Sequence, residues 1–169
     1  MHPLVRGTWG LRGRTPIYRY RLRHQRHLSV VGAVSISPRR RRLGWYLAFH
    51  PDRSIRQDEV LGFLRQLLRH LRGAVVLVWD RLGAHRARRV RTYAKKRGRL
   101  DLEYLPPYAP ELNPNEYGWA HLKGNELAND CPNDLAELTR HVRRGARRAR
   151  ARPDLLRGFV RATKLPLRL

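Results

Sequence analysis

Two carboxylates are placed where they could do chemistry. Asp80 stands at the carboxyl end of the apolar run Ala74-Val75-Val76-Leu77-Val78-Trp79, and Glu116 falls in the first turn of a helix that follows a proline-rich stretch. In α/β sheets, sites gather at the carboxyl ends of strands, where side chains reach solvent without disrupting the core. Two or three carboxylates converging there can hold a pair of Mg2+ or Mn2+ ions. Such ions lower the pKa of an attacking water and stabilise the leaving oxygen of a phosphodiester. Each acid also has a structural reading. An Asp after a strand often caps the next turn or helix. Asn113-Pro114-Asn115-Glu116 reads as N-cap, Pro at N1 and Glu at N3, which is close to a capping box. The two readings of Glu116 are compatible, because a helix N-terminus favours a nearby anion.

Around this pair stand His85, Trp119 and Lys123. His85 could contact phosphate or a catalytic water, or it could simply start a helix. Trp119 and Lys123 follow Glu116 at +3 and +7 and so share one helix face with it. Lys123 could reach phosphate from beside a metal site, whereas Trp119 reads as core. The remaining histidines and the single Cys131 lack zinc-ligand spacing. One cysteine also excludes an internal disulfide framework and fits a reducing cytosol.

The charge around the acids is uneven. The 169 residues carry 37 Lys+Arg and 13 Asp+Glu, a net charge of +24. Residues 1–51 hold 11 arginines and no carboxylate, and residues 138–169 hold 11 bases and one acid. Residues 101–137 invert the pattern, with eight acids and one base. A basic protein with one acidic segment suggests a phosphate-binding surface around a carboxylate site, with nucleic acid as the simplest partner. Only four of the bases are Lys, so an Arg-rich composition is the competing explanation. No run of 18 apolar residues and no apolar signal core is present, which argues against a membrane span or secretion. With 41% hydrophobic residues the chain is not a disordered polycation.

The elements that must position these groups follow from periodicity. Residues 17–22, 28–36 and 43–49 read as three strands of an antiparallel meander, with Pro38 and Arg39 to Arg42 in a turn. Residues 57–72 carry apolar positions at helical spacing, and Gly73 should end that helix. The 74–79 run predicts a buried strand. A basic helix is expected over 85–97, closed by Gly98, then a strand over 100–105 and a stiff proline loop. Helices should begin near Pro114 and Asp134, the second with Leu135, Leu138 and Val142 on one face. The order implies an α/β domain with a mixed sheet over residues 1–150, followed by a basic tail over 151–169. No helix-turn-helix reader and no internal repeat is evident.

Two blocks then carry a family resemblance. Val75 to Arg86, with Trp79-Asp80-Arg81-Leu82-Gly83-Ala84-His85 at its centre, is similar to the second-aspartate block of IS630-type transposases. Leu105-Pro106-Pro107-Tyr108-Ala109-Pro110-Glu111-Leu112-Asn113-Pro114-Asn115-Glu116 resembles their third-acid block, and Trp119 and Lys123 match its continuation. Thr8 to Pro16 resembles the segment just after the family's first strand, so the likeness runs from about residue 3 to about 150. These enzymes belong to the Tc1/mariner group and have a DDE catalytic domain of RNase H-like fold.

The resemblance implies that Asp80 is the second acid and Glu116 the third, both holding a Mg2+ or Mn2+ pair. His85 and Lys123 would support phosphates. Arg39, Arg40, Arg41, Arg42, Arg143, Arg144, Arg147 and Arg148 would grip the DNA backbone. It also implies a mixed sheet flanked by helices, DNA partners (transposon ends and target), a homodimer and a cytoplasmic, nucleoid-associated bacterial location. The family's first acid has no counterpart: the first carboxylate is Asp52, beyond the third expected strand, and Asp58 and Glu59 are poor replacements. The sequence therefore reads as a catalytic domain without its first strand, first acid and upstream DNA-binding region, inactive or nearly so by itself. The alternative is a non-catalytic DNA-binding remnant or regulator of transposition. An RNase H-like nuclease of another kind is disfavoured by the proline block.

Overall fold

In the computed structural model, residues 6–17, 26–37, 42–163 and 165 are described. Strands β1 (Leu28–Ser37) and β2 (Arg42–Pro51) form an antiparallel hairpin in register from Leu28 opposite Pro51 to Ser37 opposite Arg42. Both are rich in β-branched and aromatic residues, and they bury Leu28 and Trp45. The expected first strand lies outside the described residues except for Ile17, which is exposed and in no strand. Arg39, Arg40 and Arg41 of the turn also lie outside them.

Helix α1 (Gln57–His70) buries Val60, Leu61, Phe63, Leu64, Leu67 and Leu68, the apolar stripe expected from its spacing. Glu59 accepts a hydrogen bond from the Arg56 N–H, a capping-box contact that holds its carboxyl below the usual range. At the other end Gly73 takes the left-handed conformation, φ 79°. The Arg99 guanidinium donates to the carbonyls of Leu68, Leu71 and Gly73, satisfying acceptors that the last helical turn leaves free.

Strand β3 (Val75–Trp79) pairs in parallel with β4 (Leu100–Tyr104) across helix α2 (Arg88–Arg97), which Gly98 closes at φ 59°. The expectation of a fully buried β3 fails. Trp79 is buried and Val75 and Leu77 are partly so, packed with α1 and α2, but Val76 and Val78 are 62% and 53% exposed. Helices cover one face of this two-stranded ladder among the described residues. Among the described residues, β1–β2 and β3–β4 are separate hydrogen-bonded pairs, so the α/β class stands with both ladder types present but not joined.

After a 3-10 turn (Pro110–Leu112) come α3 (Pro114–His121), a π turn (Leu122–Glu126) and α4 (Leu135–Arg150). Asp134 caps α4 by accepting from the Glu137 N–H at 2.7 Å, and Leu135, Leu138 and Val142 are buried as expected. Residues expected to trail off as a tail instead form α5 (Pro153–Ala162). Its Leu156 and Phe159 join the core between α4 and the β1–β2 hairpin. Apolar positions one turn apart drive this, although the surrounding arginines mask the pattern. The two halves meet where Phe63, Leu67 and His70 of α1 face Tyr46 and Leu47 of β2 around a cavity of about 160 Å3. No helix among the described residues is long and apolar enough to cross a membrane.

Candidate active site

Asp80 is the first residue beyond β3, and the Leu105 N–H bonded to the Trp79 carbonyl at 2.8 Å extends the ladder to its doorstep. Its side chain is 55% exposed. One oxygen, Oδ1, accepts from the Leu82 N–H at 3.0 Å and meets His85 Nδ1 at 2.6 Å. A carboxylate only accepts, so the shared hydrogen belongs on Nδ1. The imidazole lies flat on the Trp79 indole, with centroids 4.4 Å apart and planes 7° apart. His85 is therefore pinned on one side by an aromatic face and on the other by Asp80. It does not start α2, which begins three residues later because 82–87 are used in the turn that Asp80 caps. The turn-capping reading of Asp80 is thus correct, and its second oxygen has no hydrogen-bond partner among the described residues.

Glu116 is held differently. The Asn113 side chain accepts from the Asn115 N–H at 3.0 Å, while the Asn113 N–H donates to the Pro110 carbonyl. That second bond takes the donor a capping box would offer to Glu116. The box is not closed, and the Glu116 carboxyl has no hydrogen-bond partner among the described residues. Partial burial pushes its pKa above the usual value. Lys123 pulls it down, and the charge of Asp80 raises it further. Those interactions put Asp80, Glu116 and Lys123 in one electrostatic neighbourhood, although Asp80 belongs to the β3–β4 half and Glu116 to α3.

What brings Glu116 there is Asn115, which sequence reasoning passed over. It is 9% exposed; its Oδ1 accepts from Trp45 Nε1 at 2.8 Å and its Nδ2 donates to the Gly32 carbonyl at 3.3 Å. The start of α3 is thereby bolted to both strands of the hairpin. Close approach needs glycine on each side: a Cβ at Gly32 would lie 2.8 Å from Asn115 Oδ1, and one at Gly118 would lie 2.5 Å from Trp45 Cζ2. Trp119 packs as core, its ring 5.8 Å from that of Trp45. The available signal was a polar residue at a helix position that shares its face with Gly118 and Trp119.

The basic candidates are scattered. Arg42 is exposed at the start of β2. Arg143 lies over the Phe49 ring at 5.2 Å, and Arg148 is paired with Glu126, its Nε 2.9 Å from Oε2. Arg144 and Arg147 are exposed and have no carboxylate partner among the described residues. Lys123 sits in the π turn, half-buried.

As a cation site, the free oxygen of Asp80 and the unbonded carboxyl of Glu116 are hard donors suited to Mg2+ or Mn2+. Their mutual repulsion is what a divalent ion would relieve. Among the described residues, which include every Asp and Glu of the chain, no group of three or more His, Cys, Asp or Glu is placed to hold a metal ion. By donor type alone, the two carboxylates suit such an ion.

A family comparison covers the block that holds these acids. The DDE superfamily endonuclease family matches residues 2–139. No curated protein matches. Similar solved structures include the Mos1 strand transfer complex, at 16% identity and a TM-score of 0.49, covering 99% of this chain and 52% of that chain. Another is the catalytic domain of Mos1 mariner transposase, at 16% identity and a TM-score of 0.45, covering 88% and 85%. The chain thus spans about half the length of the first. The family match takes in β1 through the start of α4, with Asp80, His85, Glu116 and Lys123 inside it. This chain belongs to the DDE superfamily of endonucleases.

Proposed function

We propose that the chain is the catalytic domain of a DNA transposase of the Tc1/mariner group, of the IS630 type, in which Asp80 and Glu116 hold Mg2+ or Mn2+ against a DNA phosphodiester. What supports this is that two carboxylates from different halves of the fold lie within electrostatic reach of one another, each with acceptor capacity left among the described residues. A bound divalent ion would activate water and stabilise the leaving oxygen. The chain's own residues do the rest. His85 holds Asp80 in one rotamer, leaving one oxygen free. Lys123, beside Glu116, offers its charge to a phosphate. Arg42, Arg144 and Arg147, with Arg39 to Arg41, add backbone contacts, and Arg143 and Arg148 contribute once DNA draws them from Phe49 and Glu126. Joining two transposon ends to a target makes a homodimer the expected working form.

Mn2+ uptake tests the reading. Free Mn2+ is followed by electron paramagnetic resonance while the full chain is titrated with and without a DNA duplex. Asp80→Asn and Glu116→Gln should each lower uptake about tenfold or more, as first-sphere ligands do. Unchanged uptake in both variants would refute the site.

A second reading, a DNA-binding remnant or regulator, is favoured by the lack of a third carboxylate beside the pair. It requires salt-sensitive DNA binding that Asp80→Ala and Glu116→Ala leave unchanged or strengthen, and no Mn2+-dependent strand cleavage. Cleavage by the purified chain that Asp80→Ala abolishes excludes it.

A further inference from the structure

At the end of the β3–β4 ladder opposite Asp80, four arginines gather round one groove. Arg65 and Arg69 come from α1, Arg97 from the last turn of α2, and Arg99 from the step into β4; Leu68 and Tyr93 complete the lining, enclosing about 380 Å3. The guanidiniums of Arg65 and Arg97 lie over the Tyr93 ring, 5.8 and 5.0 Å from its centroid. That contact orders two long side chains that would otherwise sweep solvent. Arg99 is spent on the α1 carbonyls. Arg65, Arg69 and Arg97 have no carboxylate within ion-pair distance among the described residues, which include every Asp and Glu of the chain. Arg89 on the nearby α2, by contrast, pairs with Asp58. Uncompensated like charges around a groove repel one another and favour an anion between them.

Position separates this groove from the first site. Leu100 pairs with Val75 at the beginning of β3, whereas Asp80 follows its end. Five strand residues at about 3.3 Å each put roughly 15 Å between the two, beyond the Debye length of about 8 Å at physiological salt. One phosphate cannot serve both.

We infer that the α1–α2 groove is a second phosphate-backbone site, apart from the one at Asp80 and Glu116 and able to hold a duplex segment of its own. The inference takes its ligand class from the DNA reading above, but its test needs no metal and no chemistry. In EDTA, the full chain is added to bead-bound duplex and a labelled duplex, and retained label reports bridging. The wild type bridges. Arg65→Gln/Arg69→Gln/Arg97→Gln should lose bridging while still binding one duplex, and its log–log salt slope should fall by about 2.7, at about 0.9 per lost phosphate contact. Arg69→Glu alone touches neither Tyr93 nor the α1 carbonyls, so it serves if the triple variant misfolds; it should reduce bridging at least several-fold. Bridging and slope unchanged in a folded variant overturn the inference, as does a wild type that binds duplex without bridging. Failure of Mn2+ uptake with bridging intact would instead refute only the two-acid reading.

Discussion

Replacing Asn115 with Ala removes the bolt that seats α3. The Trp45 indole is 2% exposed, so its N–H has no water to turn to once Asn115 Oδ1 is gone. An orphaned buried donor costs about 1–3 kcal/mol. The Gly32 carbonyl loses a longer, weaker bond, adding about 1 kcal/mol. The N-cap survives, because Asn113 supplies it. The total is about 2–4 kcal/mol, or a Tm lower by roughly 5–15 °C for a chain of this size. Thermal and urea unfolding followed by circular dichroism measure it. A double-mutant cycle isolates the cause: with Trp45→Phe no indole donor remains to be stranded, so Asn115→Ala should then cost about 1–2 kcal/mol less. Because Glu116 is the next residue, the same variant should also weaken Mn2+ uptake. A stability change within about 0.5 kcal/mol, or a cost that Trp45→Phe does not alter, would show that Asn115 does not seat the helix.

Three further outcomes follow from the same contacts. Folding raises the pKa of Glu116, so the cost to folding grows as the pH rises past the unfolded-state pKa and is complete above the raised value; Glu116→Gln should therefore raise the Tm at pH 7, with the difference gone below about pH 4, as a pH series of melts will reveal. Gly118→Ala forces a Cβ to 2.5 Å from the Trp45 ring and should destabilise by about 1–3 kcal/mol in urea titrations, whereas Gly62→Ala, at an open position inside α1, should stabilise by about 0.5–1 kcal/mol. Arg99→Met strips three carbonyls at the end of α1 of their donor and should cost about 2–4 kcal/mol, with faster amide hydrogen exchange over Leu67 to Leu71.

Elements with a long apolar period were readable from sequence. α1 and α4 each bury a continuous stripe, and no neighbour changes what such a stripe must do. The places of Asp80 and Glu116 in the fold were readable because a strand end and a proline-fixed helix start set a residue's position whatever surrounds them. The failures have one origin. Whether Val76 and Val78 are covered depends on what packs on the far face of β3, which its own residues do not specify. Whether Glu116 closes a capping box depends on whether Asn113 has another acceptor, and Pro110 provides one through the preceding 3-10 turn. One half of a capping box did form at α1, where Glu59 accepts from the N–H of Arg56, a residue type no capping rule would single out. The tail became α5 because Leu156 and Phe159 find a surface made by α4 and the hairpin.

The acid pair extends that reasoning, because no local pattern sets its spacing. Asp80 is fixed to the β3–β4 half through Trp79, His85 and the Leu105 contact. Glu116 is fixed to the β1–β2 half through Asn115. Among the described residues no backbone ladder crosses between the halves. The α1–β2 contact that joins them is side-chain packing around a cavity, where Tyr46 and His70 meet ring to ring at 5.8 Å. Packing of that kind yields to small forces more readily than a row of hydrogen bonds does. The charge of Asp80 contributes to raising the pKa of Glu116, after the larger effect of desolvation. The backbone of each acid is seated in its own half, so the gap between them is set where the halves touch. A substitution at Leu47 or Leu67 can therefore change cation binding without approaching either carboxylate.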